Sequence, residues 1–208
     1  MSTKNKILDA AEVLFADKGF NGTSLREITS LGEVNLAAVN YHFGSKKELI
    51  KAVMSRYMNE LSPRLESALA ALCQDDVQPT LNDVFSAFIG PLLHLNEFKE
   101  NGTSTFLQLL GRGYTDSQGF LRWFLTTQYP DVFAHFTQAV HKAYPELSAE
   151  EMFWRLHFTM GTIVFTMSSS DALIDIAHSD FEREVDIAGV IKQVIPYVAA
   201  GVAAPIAF

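Results

Sequence analysis

Val34-Asn35-Leu36-Ala37-Ala38-Val39-Asn40-Tyr41-His42-Phe43-Gly44-Ser45-Lys46 reads as a short helix, a glycine stop and the first turn of a longer helix. Asn35 suits an N-cap, because its side-chain oxygen can accept from the free N–H groups of a first turn. Leu36, Val39 and Phe43 recur at helical spacing and predict one apolar face. Ala37, Ala38, Asn40, Tyr41 and His42 fall off that face. Their surface carries no charge, which is unusual for a helix that only meets water. Small residues let a helix approach a groove closely. An asparagine can make two hydrogen bonds to an adenine edge, and alanine methyls can meet a thymine methyl. The stretch is therefore expected to read double-stranded DNA.

The flanks agree. Ser45-Lys46-Lys47-Glu48 spells a capping box. Yet Lys46 and Lys47 stand in a first turn, where the helix dipole disfavours cations. A phosphate there would resolve the conflict, facing both ammonium groups and the free N–H groups at once. Upstream, Ser24-x-x-Glu27 is a second capping box, Leu25 and Ile28 are expected to face inward, and Gly32 breaks the helix. Thr23, Ser24 and Arg26 lie at that helix's N-terminus, placed to meet phosphate. Two short helices joined by a glycine-containing turn form a helix-turn-helix. A helix over Lys4–Lys18, apolar at Ile7, Leu8, Ala11, Leu14 and Phe15 and ended by Gly19, packs behind them. This predicts a DNA-binding unit over residues 1–47 and a second helical domain over 48–208.

Composition sets bounds. The 208 residues are 48% apolar and 19% charged, enough for a real core. Net charge is −8; the first sixty residues hold eight basic and seven acidic side chains, the rest eight and seventeen. A DNA argument must then rest on where the cations sit, not on their number. Cys73 is the one cysteine, so no internal disulfide and no cysteine-based metal site is expected. Met1–Lys6 is polar, and the apolar tail Val194–Phe208 is short and holds Pro196 and Pro205. No leader and no membrane span are expected, which fits a cytoplasmic protein. There is no G-x-S-x-G, P-loop, G-x-G-x-x-G or H-E-x-x-H, so no enzyme, cofactor or metal is expected.

From Ser45 a long helix is predicted to about Cys73, with Leu49, Val53, Tyr57, Leu61, Leu65, Leu69 and Leu72 as its seam and an interruption at Pro63. Thr80 caps a helix running to Leu95, and residues 96–105 read as loop. A short helix over Thr103–Leu110 is closed by Gly111-Arg112-Gly113. Helices follow over Ser117–Gln128 and Pro130–Ala143. Ser148-x-x-Glu151 opens another, through Met167. Ser168–Arg183 reads mainly as loop, and a last helix starts near Val185 and is interrupted at Pro196.

Thirteen of the sixteen Phe residues and both Trp follow residue 84. One reading is a cavity for an apolar ligand, lined by Phe85, Phe88, Phe106, Leu110, Phe120, Trp123, Phe124, Phe136, Phe158 and Phe165. The other is core and dimer interface. Arg112, Arg122, Arg155 and His157 are candidate anchors for an acidic head group. The helices over 148–167 and 185–204 are the candidate dimer surface, since Gly161, Ala199, Ala200 and Gly201 allow close approach.

Ile7-Leu8-Asp9-Ala10-Ala11, Phe15, Gly19-Phe20, Thr23-Ser24, Ile28 and Tyr41-His42-Phe43-x-Ser45-Lys46 together resemble the DNA-binding domain of the tetracycline-repressor (TetR) family. The resemblance implies an all-α homodimeric transcriptional regulator, a repressor of a palindromic operator, with a C-terminal ligand-binding and dimerisation domain. It makes Leu36–His42 the recognition helix. It assigns phosphate contacts to Tyr41, His42 and Lys46, and to the positions near Thr23 and Ser24. Gly111-Arg112-Gly113-Tyr114, Val132-Phe133, Pro145-Glu146-Leu147 and Phe153-Trp154-Arg155-Leu156-His157-Phe158-x-Met160-Gly161 are similar to the PsrA-like subgroup. That likeness implies release from DNA by a long-chain fatty acid or acyl-CoA. The alternative is a TetR-type repressor of an efflux or other operon that answers a different apolar molecule.

Overall fold

The computed structural model describes residues 2–116 and 118–205, and these form twelve helices with no strand. The first, α1 (Thr3–Gly22), bends at Gly19, whose φ of 77° is open to glycine and strained for other residues. Ile7, Ala11 and Phe15 are fully buried, and Phe20 beyond the bend meets Phe15 edge-on at 5.1 Å. The Thr23 hydroxyl lies 2.8 Å from the Gly19 carbonyl and 3.0 Å from that of Leu14, which holds the bend closed.

Next come α2 (Leu25–Leu31) and α3 (Leu36–Phe43), packed on α1 and on each other. Gly32 ends α2 where α1 comes close: a Cβ there would stand 3.1 Å from the Lys6 carbonyl oxygen. Helix α4 (Lys46–Leu72) crosses the whole molecule. Its predicted seam is buried from Leu49 to Leu69, with Leu72 half-buried. The expected interruption at Pro63 does not occur. Pro63 is exposed, while Leu61 and Leu65 on either side are anchored in the core, so one lost backbone bond is tolerated.

The predicted helix from Thr80 is two helices, α5 (Leu81–Ser86) and α6 (Ile89–Phe98). Pro91 explains the break: its ring would clash with the Ala87 carbonyl if the helix ran on. Thr80 and Asp83 form a complete capping box. Helix α7 (Gly102–Asp116) runs straight through the glycines expected to stop it. Gly113 is there for space: a Cβ would lie 2.4 Å from Leu121 and 2.7 Å from Phe20. The helices α8 (Gln118–Gln128), α9 (Pro130–Ala143) and α10 (Ala149–Ser168) match expectation closely. The loop expected over 168–183 is instead α11 (Ser170–Phe181), and α12 (Ile187–Ala203) continues through Pro196.

The core is continuous from the first three helices into the rest of the chain. Helix α1 packs against α4 and α7; α4 also meets α6 and α9; α7 leans on α10, which packs against α12. At the junction, the Glu12 carboxylate is 2% exposed and is shared by Arg56 of α4, at 3.2 Å, and Lys99 between α6 and α7. Arg56 also bonds Asp9 at 2.7 Å. Burying a carboxylate is tolerable only with such pairing.

Candidate nucleic-acid interface

The structure presents α3 outward. Val39 and Phe43 are buried beneath it, while Ala37, Asn40, Tyr41 and His42 are exposed and Ala38 is half-buried. Tyr41 is 86% exposed, an unusual placement for a large ring with nothing to cover it. Its ring meets that of His42 edge-on at 5.1 Å. Leu36 is a correction to the expected apolar face. It is 44% exposed and joins the outer surface, because α3 begins there and has no neighbour beyond its first residue. Asn35 caps the helix, its side-chain oxygen accepting from the Ala38 N–H at 2.8 Å. That bond uses one lone pair of the oxygen and leaves the amide NH2 of Asn35 as the donor a phosphate would need. Gly44, with φ 71° and ψ −45°, turns the chain sharply from α3 into α4.

At the start of α2 two expectations change. The Thr23 side chain is buried and its hydroxyl is spent on the α1 bend, so it cannot reach a phosphate. Ser24 is exposed, but its N–H and its hydroxyl both donate to the Glu27 carboxylate, at 2.7 and 2.8 Å. The helix terminus already carries an anion. Lys18 adds a 2.9 Å ion pair to Glu27. The Lys18 hydrogen bond, and after it those from Ser24, holds the Glu27 carboxyl down to about 2. Arg26 is exposed next to this cap.

The start of α4 is different. Ser45 accepts from the Glu48 N–H at 3.2 Å, but Glu48 does not complete a capping box; it pairs with Lys51 at 2.7 Å. The predicted box at Ser148 is likewise half-formed, because Glu151 pairs with Arg155. The first turn of α4 therefore offers Lys46, half-buried, and Lys47, exposed, beside N–H groups that a helix start leaves free. Sequence reading missed what stands next to them. The Lys47 ammonium is 5.9 Å from the Phe120 ring, and that of Lys51 is 5.9 Å from Phe120 and 5.3 Å from Trp123. No local signal joins residues so far apart in the chain.

The expected ligand set is scattered. Phe85, Phe106 and Phe124 are buried core, and Phe88, Leu110 and Phe136 are half-buried against it. Phe136 touches both Phe85 and Phe88 edge-on, at 6.1 and 5.5 Å. Phe120 lies half-buried beside α4 and Trp123 is 55% exposed, so neither lines an interior cavity with the others. Phe158 is 66% exposed on α10, along with Trp154 and Phe165. Arg112 is no mouth residue: it donates to the Asp17 carbonyl at 2.8 Å, tying α7 to α1. Arg155 is buried, bonded to Glu151 and to the Val202 and Ala204 carbonyls at the end of α12. The His157 ring nitrogen sits 2.6 Å from the Phe153 carbonyl of its own helix. One open groove lies elsewhere, between α4 and α6 beside Pro63 and His94.

Residues 7–53 match the family model for bacterial regulatory proteins of the tetR family. Residues 86–201, more than half of the chain, match the tetracyclin repressor-like C-terminal domain. A probable HTH-type transcriptional regulator of Bacillus subtilis, YttP, is 38% identical over 81 residues, 39% of each chain. The biofilm operon negative regulator IcaR of Staphylococcus aureus is 44% identical over 46 residues, 22% of this chain and 25% of its own. The matched segment thus spans well under half the length of these relatives. A crystal structure of a HlyIIR mutant superposes with a TM-score of 0.59 at 16% identity, covering 93% of both chains, a likeness of fold. The chain belongs to the TetR family of bacterial regulatory proteins.

Proposed function

We propose that this chain is an operator-binding repressor that reads DNA with α3. Ala37, Ala38 and Asn40 face base edges in the major groove, with Leu36 at the groove wall. Tyr41, His42, Lys46 and the Asn35 amide grip phosphates on one side, and Arg26 on the other. The observation that carries this reading is the uncharged, solvent-facing surface of α3 with Tyr41 86% exposed. The unit ending near residue 47 is the reader; α4 begins in it and continues into the remainder, residues 48–208.

One short helix contacts too few bases for adequate specificity, so two copies are needed, about 34 Å apart on a palindrome. The surface offered for pairing is the outer side of α10 and α12, where Trp154, Phe158, Phe165 and Tyr197 are all more than half exposed. Gly161 and Gly201 lie in the same two helices with open space around them.

The effector proposed is a long-chain fatty acid or its acyl-CoA ester, which loosens the complex by changing the spacing of the two reading helices. Support comes from the sequence likeness in the second half and from the Phe85, Phe88 and Phe136 cluster between α5 and α9. A chain parting those rings would gain roughly 0.8 kcal/mol per buried methylene. A different apolar effector, and an efflux or other operon, is the competing reading.

The test has two stages. A duplex is first selected from a random pool by the purified chain. Tyr41→Ala should weaken every duplex alike, while Asn40→Ala should change the preferred sequence; parent-like binding by both variants would end the assignment of α3. Native mass spectrometry and titration with oleoyl-CoA then address the effector. A hundredfold loss of DNA affinity corresponds to a coupling of about 2.7 kcal/mol, and DNA must weaken oleoyl-CoA binding by the same factor. No carried lipid and no response to oleoyl-CoA would overturn the fatty-acid reading alone.

A further inference from the structure

We propose that Phe120 and Trp123 of α8 are positioning residues for DNA binding, holding the start of α4, through Lys47 and the Glu48-paired Lys51, so that Lys47 meets the phosphate backbone. The proposal rests on the reading of α3 and the α4 start given above.

Three observations converge. Two ammonium groups lie within cation–π distance of two rings: Lys47 over Phe120, and Lys51 over both Phe120 and Trp123, at 5.3 to 5.9 Å. The rings belong to α8, on the far side of α7 in the sequence, so the contact is tertiary and not a helical neighbour effect. The two cations also differ in their other partners. Lys51 is fixed by Glu48 at 2.7 Å, whereas among the described residues no carboxylate lies within ion-pair distance of Lys47. The electron-rich face of the Phe120 ring is the partner the structure gives Lys47.

A cation in the first turn of a helix is repelled by the dipole and tends to swing away. A ring face offsets that repulsion without neutralising the charge, so the ammonium stays available to an anion. A carboxylate in the same place would hold the lysine but repel the phosphate. Trp123, 55% exposed, gains little by burial where it stands, consistent with a ring kept for what it faces. The arrangement also gives the C-terminal domain a second route to the DNA surface: α8 touches the gripping cations directly, beside the longer path along α4.

The experiment uses the full chain and the duplex selected by the parent. Affinity is measured by fluorescence anisotropy across a salt series for the parent, Phe120→Ala/Trp123→Ala, Trp123→Phe and Lys47→Gln. The double variant should bind about five- to tenfold more weakly. Its plot of log affinity against log salt should flatten by about one phosphate contact, close to 0.9 in slope. Trp123→Phe, which keeps a ring, should recover most of that slope, and Lys47→Gln should cost less in the double variant than in the parent. A slope unchanged from the parent, or a fully additive Lys47 effect, would overturn the proposal, since a merely structural role weakens binding without altering the phosphate count. If the double variant does not fold, fluorine NMR of the parent labelled with fluorotryptophan decides, with Trp123→Phe assigning the resonance. The Trp123 signal should shift on adding duplex, and a silent signal at saturation overturns the idea. A parent that binds no duplex removes the reading of α3 along with it, whereas a binding parent with an unchanged slope in the variants removes this inference only.

Discussion

Helices α3 and α10 both carry large rings into solvent, Tyr41 on the first and Trp154, Phe158 and Phe165 on the second. Around its ring α3 has small or amide side chains and no charge; α10 has rings stacked on rings, Trp154 against Phe158 at 6.2 Å. The first surface suits a polar, shape-defined groove approached closely, the second a flat apolar partner. Helix α3 is also pinned at both ends, by Asn35 and by Gly44, and has Val39 and Phe43 as its only deep anchors. Its outward face follows from those few residues. Helix α10 is apolar around much of its girth, so its open side is set by what α7 and α12 already cover.

The contrast between a ring that is core and a ring that is surface can be broken by mutation. Phe106→Ala should cost about 3–5 kcal/mol of folding stability in urea, the usual loss for emptying a buried aromatic site, whereas Phe158→Ala should stay within about 0.5 kcal/mol in dilute protein and weaken self-association by analytical ultracentrifugation. Equal losses would mean the two rings are not differently placed. Glu12→Ala should cost about 2–4 kcal/mol, because it strands two cations at the junction. The loss stays below that of a fully buried pair because Arg56 and Lys99 keep 24% and 34% of their side chains exposed. Gly113→Ala should cost about 1–3 kcal/mol by overpacking and should disturb α8 more than α3, visible in hydrogen exchange. The smallest effect is one of pH. Glu27 is held near 2, against an ordinary value of 4.5. Its contribution to the α1–α2 contact is complete above about 4.5 and disappears as pH falls toward 2. Glu27→Gln should flatten the acid limb of the stability profile over that window; an unchanged limb would show that the cap is not felt.

How much could be read in advance follows the same division. The first three helices were legible because their signals are local: an N-cap at Asn35, a glycine after Phe43, a capping box at Ser24 and a short apolar repeat. Even there Thr23 went astray, since a threonine before a helix looks the same whether its hydroxyl points at a phosphate or back at Gly19. In the second half, helix positions were largely readable but side-chain destinations were not. Gly111 and Gly113 looked like a stop, because a glycine needed for close packing and one needed for a turn are the same letter. Ser170–Phe181 looked like loop, since its short apolar residues lack a strong period. Arg112 and Arg155 looked like ligand anchors, because the carbonyls they serve, on Asp17 and Val202, lie far away in sequence.

The Arg155 guanidinium fastens the last turn of α12 to the middle of α10, from a buried position and through backbone oxygens rather than exchangeable side chains. Those two rods are thereby cross-linked by hydrogen bonds as well as by apolar packing. A second molecule laid against them could not slide one rod past the other. Contacts run onward from α10 into α7, and from there, by way of Arg112, to the Ala16 and Asp17 carbonyls near the end of the first helix.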